Sequence, residues 1–141
     1  MKREIKFRGK DFLGRWHYGH LHLATGSSSL MIQVDSFDSF GVIPETVGQF
    51  TGLLDKNGKE IYEGDIIEIK DIGGYGCKRK GVVEYDVDEC TFVVRLLRPS
   101  WVGIVRLSTK AQICADMNST YEYFNQFTVI GNIHDMEGGA E

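Results

Sequence analysis

The sequence predicts a mostly β protein: an N-terminal antiparallel β subdomain, an SH3-like β-barrel after it, and at most one or two short helices. Three observations carry this expectation. Apolar and polar residues alternate with period two in short runs, as half-buried strands require. Clusters of Gly, Asn, Asp and Ser punctuate those runs. The densest turn chemistry lies in V-G-Q-F-T-G-L-L-D-K-N-G-K-E-I-Y-E-G-D-I-I-E-I, residues 47–69. There Asn57-Gly58 predicts a two-residue type I′ hairpin turn with φ > 0 at both positions. Glu63-Gly64-Asp65 predicts a second turn, and Ile66, Ile67 and Ile69 a strand with Glu68 facing water. A strand entered through Gly-Asp suits a small SH3-like barrel.

Taken in order, Ile5–Arg8 and Arg15–Leu23 form a first hairpin across a polar turn at 9–14. On the second strand Trp16, Tyr18, His20 and His22 share one face, with His17, Leu21 and Leu23 on the other. Thr25–Ser29 reads as a flexible loop by composition. Leu30–Val34 is a third strand, and Phe37 and Phe40, in the loop 35–41, are expected to cap an end of the core. Pro44-Glu45-Thr46 suits one helical turn, since Pro favours a first helical position. Val47–Leu53 is too apolar for a free linker. Beyond Ile69, strands are expected at Gly81–Asp86, Thr91–Leu97, Trp101–Leu107 and Phe127–Ile133. Phe127, Val129 and Ile133 are placed on one face. Ser108 or Thr109 is a plausible N-cap for a short helix through Met117. The expected domains are 1–46, 47–135 and a tail at 136–141, with no internal repeat.

Composition narrows the class. A chain of 141 residues with 42% hydrophobic and 26% charged residues is ordinary for a globular protein. The net charge of −4 opposes nonspecific attraction to nucleic acid or an anionic membrane. Cys77, Cys90 and Cys114 are an odd set without C-x-x-C spacing, which predicts reduced thiols and a cytoplasmic setting. Lys2, Arg3 and Glu4 follow Met1 at once, so neither a secretory leader nor a membrane span is expected.

Three collinear blocks resemble the YopX family, small proteins of bacteriophages and prophages. They are R-E-I-K-F-R-G-K-D with W-H-Y-G-H-L after it, then P-E-T-V-G-Q-F-T-G-L-L-D-K-N-G-K-E-I-Y-E-G-D-I-I, then K-G-V-V-E-Y-D with F-T-V-I-G-N-I-H-D near the C-terminus. The resemblance implies a fold and a phage setting, the host cytoplasm, and assigns no catalytic residue.

The residues themselves offer several chemistries. His20 and His22, with His17 near, make half a zinc site without a Cys or acidic partner at matching spacing. Glu60, Glu63, Asp65 and Glu68 read as a solvated strand edge, with Asp65 capping its own turn. Ser27–Ser29 lack a nucleophile-elbow frame. Gly73-Gly74-Tyr75-Gly76 lacks the context of a phosphate-binding loop. Lys70, Lys78, Arg79 and Lys80 bracket Tyr75, as a single-strand contact would need: cations for phosphates and a ring for a base. Arg95, Arg98 and Trp101 lie elsewhere. The expectation is a non-enzymatic binding or adaptor module, without metal or cofactor, that meets a phage or host protein or a second copy of itself. A small nucleic-acid binder is the alternative, with Lys70, Tyr75, Lys78, Arg79 and Lys80 as the contact.

Overall fold

A computed structural model describes residues 3–70, 78–97, 104–106 and 127–135, and these are mostly β. The chain divides into two compact units, Met1–Gly52 and Leu53–Glu141. Eleven strands are described: β1 Phe7–Lys10, β2 Trp16–Leu23, β3 Leu30–Gln33, β4 Ser39–Gly41, β5 Gly48–Leu54, β6 Glu60–Tyr62, β7 Asp65–Lys70, β8 Lys78–Asp86, β9 Thr91–Leu96, β10 Ile104–Arg106 and β11 Phe127–Asn132. They form two antiparallel sheets, ordered β4-β3-β2-β1-β5-β6 and β10-β9-β8-β7-β11. The expected helix at 108–117, Trp101 and the tail at 136–141 lie outside the described residues.

In the first unit, β1 to β4 run as a meander and β1 also pairs with β5, Phe7 opposite Gln49. The inner face is anchored by fully buried Ile32 and by Val42. Gly9 permits this packing, because a Cβ there would lie 3.0–3.2 Å from Val42 and Ile32. Pro44–Thr46 is a single 3₁₀ turn with Pro at its start, as the sequence suggests. It is tied to the end of β1: the Ile43 N–H donates to Lys10 O at 2.8 Å, and Thr46 Oγ1 accepts from Lys10 N at 2.9 Å. The loop after β2 is a hydrogen-bonded turn, Ala24 N to Ser29 O at 2.9 Å and Ser27 N to Ala24 O at 3.1 Å, where composition alone suggests flexibility. Phe37 and Phe40 do not act together as a core cap. Phe40 belongs to β4, while Phe37 stands 96% exposed on a turn whose N–H groups at Phe37 and Asp38 are taken by the Asp35 carboxylate.

In the second unit Ile61, Ile67, Ile69, Val83, Val94, Leu96 and Phe127 form the core, with Leu53, Phe92 and Val129 against it. Gly81 brings β8 close to β9: a Cβ would lie 2.5 Å from Val94 Cγ1 and 2.7 Å from Arg95 O. Among the described residues the sheet is open, running from β10 to β11, and no closed SH3-like barrel is formed. The outer side of β11 is occupied by the β5–β6 turn instead. There the Lys56 N–H donates to Phe127 O and the Val129 N–H to Asp55 Oδ2, both at 3.0 Å.

That turn is not type I′. Gly58 has φ 85, but Cys90 is the only non-glycine residue with positive φ among those described, so Asn57 stays on the negative side. Asp55 N bonds Lys59 O at 2.7 Å and Gly58 N bonds Asp55 O at 3.0 Å, a three-residue loop closed by left-handed Gly58. The difference lies in Asp55, whose Oδ1 accepts from Asn57 N at 2.8 Å and Lys59 N at 2.9 Å. A second departure follows from a bulge in β11 between Val129 and Gly131. It resets the alternation, so Phe127 and Val129 face the core but Asn132, 7% exposed, takes the place expected for Ile133, which is 40% exposed.

Asp55 is buried and its carboxylate holds three backbone N–H groups. Asp55→Ala should therefore lower stability by about 2–4 kcal/mol. Asp86→Ala, which frees only the N–H groups of exposed Asp88 and Glu89, should cost less than about 1 kcal/mol. Urea titration of both variants checks the ranking; equal midpoints would refute it.

Candidate functional site

The β1–β2 turn is built like the β5–β6 turn. D-F-L-G-R at 11–15 and D-K-N-G-K at 55–59 place Asp, Gly and a basic residue at the same spacing. Asp11 N bonds Arg15 O at 2.9 Å, Gly14 N bonds Asp11 O at 3.1 Å, and Gly14 has φ 82. Asp11 Oδ1 accepts from Leu13 N and Arg15 N, both at 2.9 Å. Its Oδ2 accepts from Arg15 Nε and His17 Nε2, both at 2.8 Å. The His17 ring stacks flat on Phe40, 3.9 Å between centroids and 10° between planes. So the turn is fixed from below, and it presents two large apolar side chains to solvent: Phe12 at 79% exposure and Leu13 at 78%. The sequence marks Asp11 and Gly14 as turn punctuation but leaves the Asp11–His17 pair unseen. The recurring D-x-x-G-basic pattern signals the shared turn, while the partner of the second carboxylate oxygen differs between its two occurrences.

The outer face of the first sheet gathers cations and rings. Registers Arg8 opposite Tyr18 and Lys10 opposite Trp16 put all four on one face. The Arg8 guanidinium lies 4.7 Å and Lys10 Nζ 5.5 Å from the Trp16 ring centroid, and Lys6 Nζ lies 5.0 Å from that of Phe50. Lys6 also bridges Glu4 at 3.4 Å. Tyr18 is 46% exposed, and His20 beyond it is exposed. A groove of about 310 Å³ opens there, lined by His20, Gln33, Val34, Asp35 and Ser36. His22 Nδ1 lies 3.1 Å from Leu23 O and Nε2 3.2 Å from Ser39 Oγ, while His17 bonds Asp11, so the three histidines do not converge. Among the described residues no group of three or more His, Cys, Asp or Glu side chains could hold a metal ion.

The residues expected to make a contact lie on the β7–β8 hairpin. Lys70 ends β7 and registers opposite Lys78, the first residue of β8. Arg79 registers opposite Ile69 and Lys80 opposite Glu68, and both Arg79 and Lys80 are exposed. Tyr75 lies outside the described residues. Arg95 is not part of this group: its Nε pairs with Glu84 Oε2 at 2.6 Å, which raises its pKa. The acidic residues after the β5–β6 turn do not converge either. Asp65 is buried and takes the Tyr62 N–H on Oδ2 at 2.8 Å, closing its own turn as expected, while Glu60 accepts from the Tyr62 hydroxyl at 3.3 Å.

A family model described as YopX protein matches residues 16–137. No curated protein matches the chain.

The Asp11 cluster makes a prediction in pH. The His17 hydrogen bond, then the Arg15 and Leu13 partners, hold the Asp11 carboxyl well below the usual carboxylate range. A depressed folded-state pKa gives stability that is present above the unfolded value of 3.8 and lost as pH falls through the folded value. Asp11→Asn should melt lower than wild type at pH 7, and the gap should narrow as pH drops below 3.8. Melting curves across that range check this; a constant gap would refute it.

Proposed function

Because the chain belongs to the YopX family, we propose that it is a phage or prophage accessory protein acting by binding and not by catalysis, with a phage or host protein as its partner in the host cytoplasm. The supporting observation is the tip of the β1–β2 hairpin. Two large apolar side chains, Phe12 and Leu13, stand almost fully in water on a turn locked by four bonds to one carboxylate. Burial of such side chains in a partner's pocket yields about 1.5–3 kcal/mol each. A tip already ordered loses little entropy on docking.

A second reading places a nucleic-acid contact on Lys70, Tyr75, Lys78, Arg79 and Lys80. The register of Lys70 against Lys78, beside exposed Arg79 and Lys80, favours it. Four cations give a log-log salt slope of at most about −3 on a single strand. Glu68 opposite Lys80 lowers the local charge, so the protein-partner reading is preferred.

The test is capture from infected host lysate with wild type and a Phe12→Ser, Leu13→Ser double variant. The variant should lose the bound partner while its melting temperature stays the same, since neither side chain is packed. Equal capture by both would overturn the reading. Size-exclusion chromatography with light scattering separates a second copy of the chain from a foreign partner.

A further inference from the structure

We propose that the groove where β3 leaves β2 is a docking site for a basic segment of a protein partner, an arginine side chain flanked by apolar residues. Charge is the first ground. From Trp16 to Asp55 the sequence holds no Lys or Arg. Over residues 16–41, which supply β2, β3 and β4, the formal charges with neutral His are Asp35 and Asp38 alone. Such a surface attracts a cation and repels a phosphate chain.

Geometry is the second ground. His20 opposite Gln33 is the last pair of the β2–β3 ladder. Beyond it the chain turns through Val34, Asp35 and Ser36, and these five residues line a groove of about 310 Å³. A Cβ at Gly19 would run into Gln33 O, so glycine there lets the end of β3 lie close against β2. The volume is at the small end of ligand pockets, roughly 300–1,000 Å³, and suits one long side chain. The turn beside it is ordered: Asp35 Oδ1 accepts from Phe37 N and Asp38 N, both at 2.8 Å. Those N–H groups hold the Asp35 carboxyl below the usual carboxylate range, so it is ionised at neutral pH. Both bonds fall on one oxygen, and an ionised carboxylate has about four lone-pair sites, so acceptor capacity remains for a guanidinium fork. Val34 at 46% and Phe37 at 96% exposure flank Asp35 along the chain. A guanidinium stacks on such a ring, and apolar neighbours of the arginine gain by covering both side chains.

The site shares with the hairpin-tip reading the premise that the chain binds a protein, but it stands on other residues, so either can fail alone. The probe is the capped peptide Gly-Leu-Arg-Leu-Gly, titrated into isotope-labelled protein at neutral pH while amide chemical shifts are followed by NMR. Saturable shifts confined to residues 19–20 and 33–38 are expected, weakening as salt is added. The same peptide with neutral citrulline for arginine should bind roughly 3- to 10-fold more weakly. Asp35→Asn, which keeps an oxygen for the turn and removes the charge, should weaken the arginine peptide by a similar factor and leave shifts elsewhere unchanged. Phe37→Ala should weaken it too, with the same melting temperature, because the ring is almost wholly in water. The Phe12→Ser, Leu13→Ser variant should bind the peptide as wild type does. No saturable binding, equal binding of the citrulline peptide, or indifference to both Asp35→Asn and Phe37→Ala would overturn the proposal. Equal shifts from spermidine alone would assign the groove to a small polycation and overturn the protein-segment reading. Shifts at the groove from oligothymidine would mean an anionic occupant and overturn it as well.

Discussion

Buried carboxylates that accept backbone N–H groups are the constraint on which both units depend. Asp11, Asp55 and Asp65 are 6%, 4% and 1% exposed, and each satisfies donors that a tight turn would leave unpaired. Ionised, such a group is an acceptor only, and charge-assisted bonds offset the cost of taking it out of water. Asp55 shows the balance. Burial is the largest influence on it and favours the neutral acid. Yet the N–H groups of Val129, Lys59 and Asn57, with the Lys59 charge, together leave its pKa lowered.

The same five-residue device does different work in its two places. At 55–59 the second carboxylate oxygen reaches a backbone donor 74 positions away, joining a local turn to β11. At 11–15 it reaches His17, and through the stacked Phe40 ring it joins the turn to β4. One is a long-range staple in the chain; the other is a brace under an exposed tip. This is why the first turn can carry Phe12 and Leu13, residues that ordinary turn chemistry would replace with polar ones.

Most strands were legible because alternation and turn residues are local properties. The 3₁₀ turn at Pro44 and the capping role of Asp65 were legible for the same reason. What was not legible depended on groups distant in sequence. Asn57-Gly58 carries the dipeptide of a type I′ turn, but the Asp55 carboxylate selects another geometry. Ile133 follows the period-two rule on paper, while a bulge one turn of alternation earlier sends it outward. Phe37 looks like a core residue by type alone. The Asp35 side chain ties down its N–H and the ring projects into solvent. For the candidate surfaces, the row on β2 was visible as a periodicity. Its neighbours on β1 became visible only once register placed Arg8 and Lys10 beside it.

The Lys56 and Asp55 contacts to β11 have a consequence for how the chain behaves in a crowd. An unprotected terminal strand is a template on which another chain can add its own backbone, the first step toward sheet-extended aggregates. Here a turn of the same molecule already occupies Phe127 O and Val129 N, two of the groups such a template would offer. The safeguard against self-templating at these groups is intramolecular and so independent of concentration.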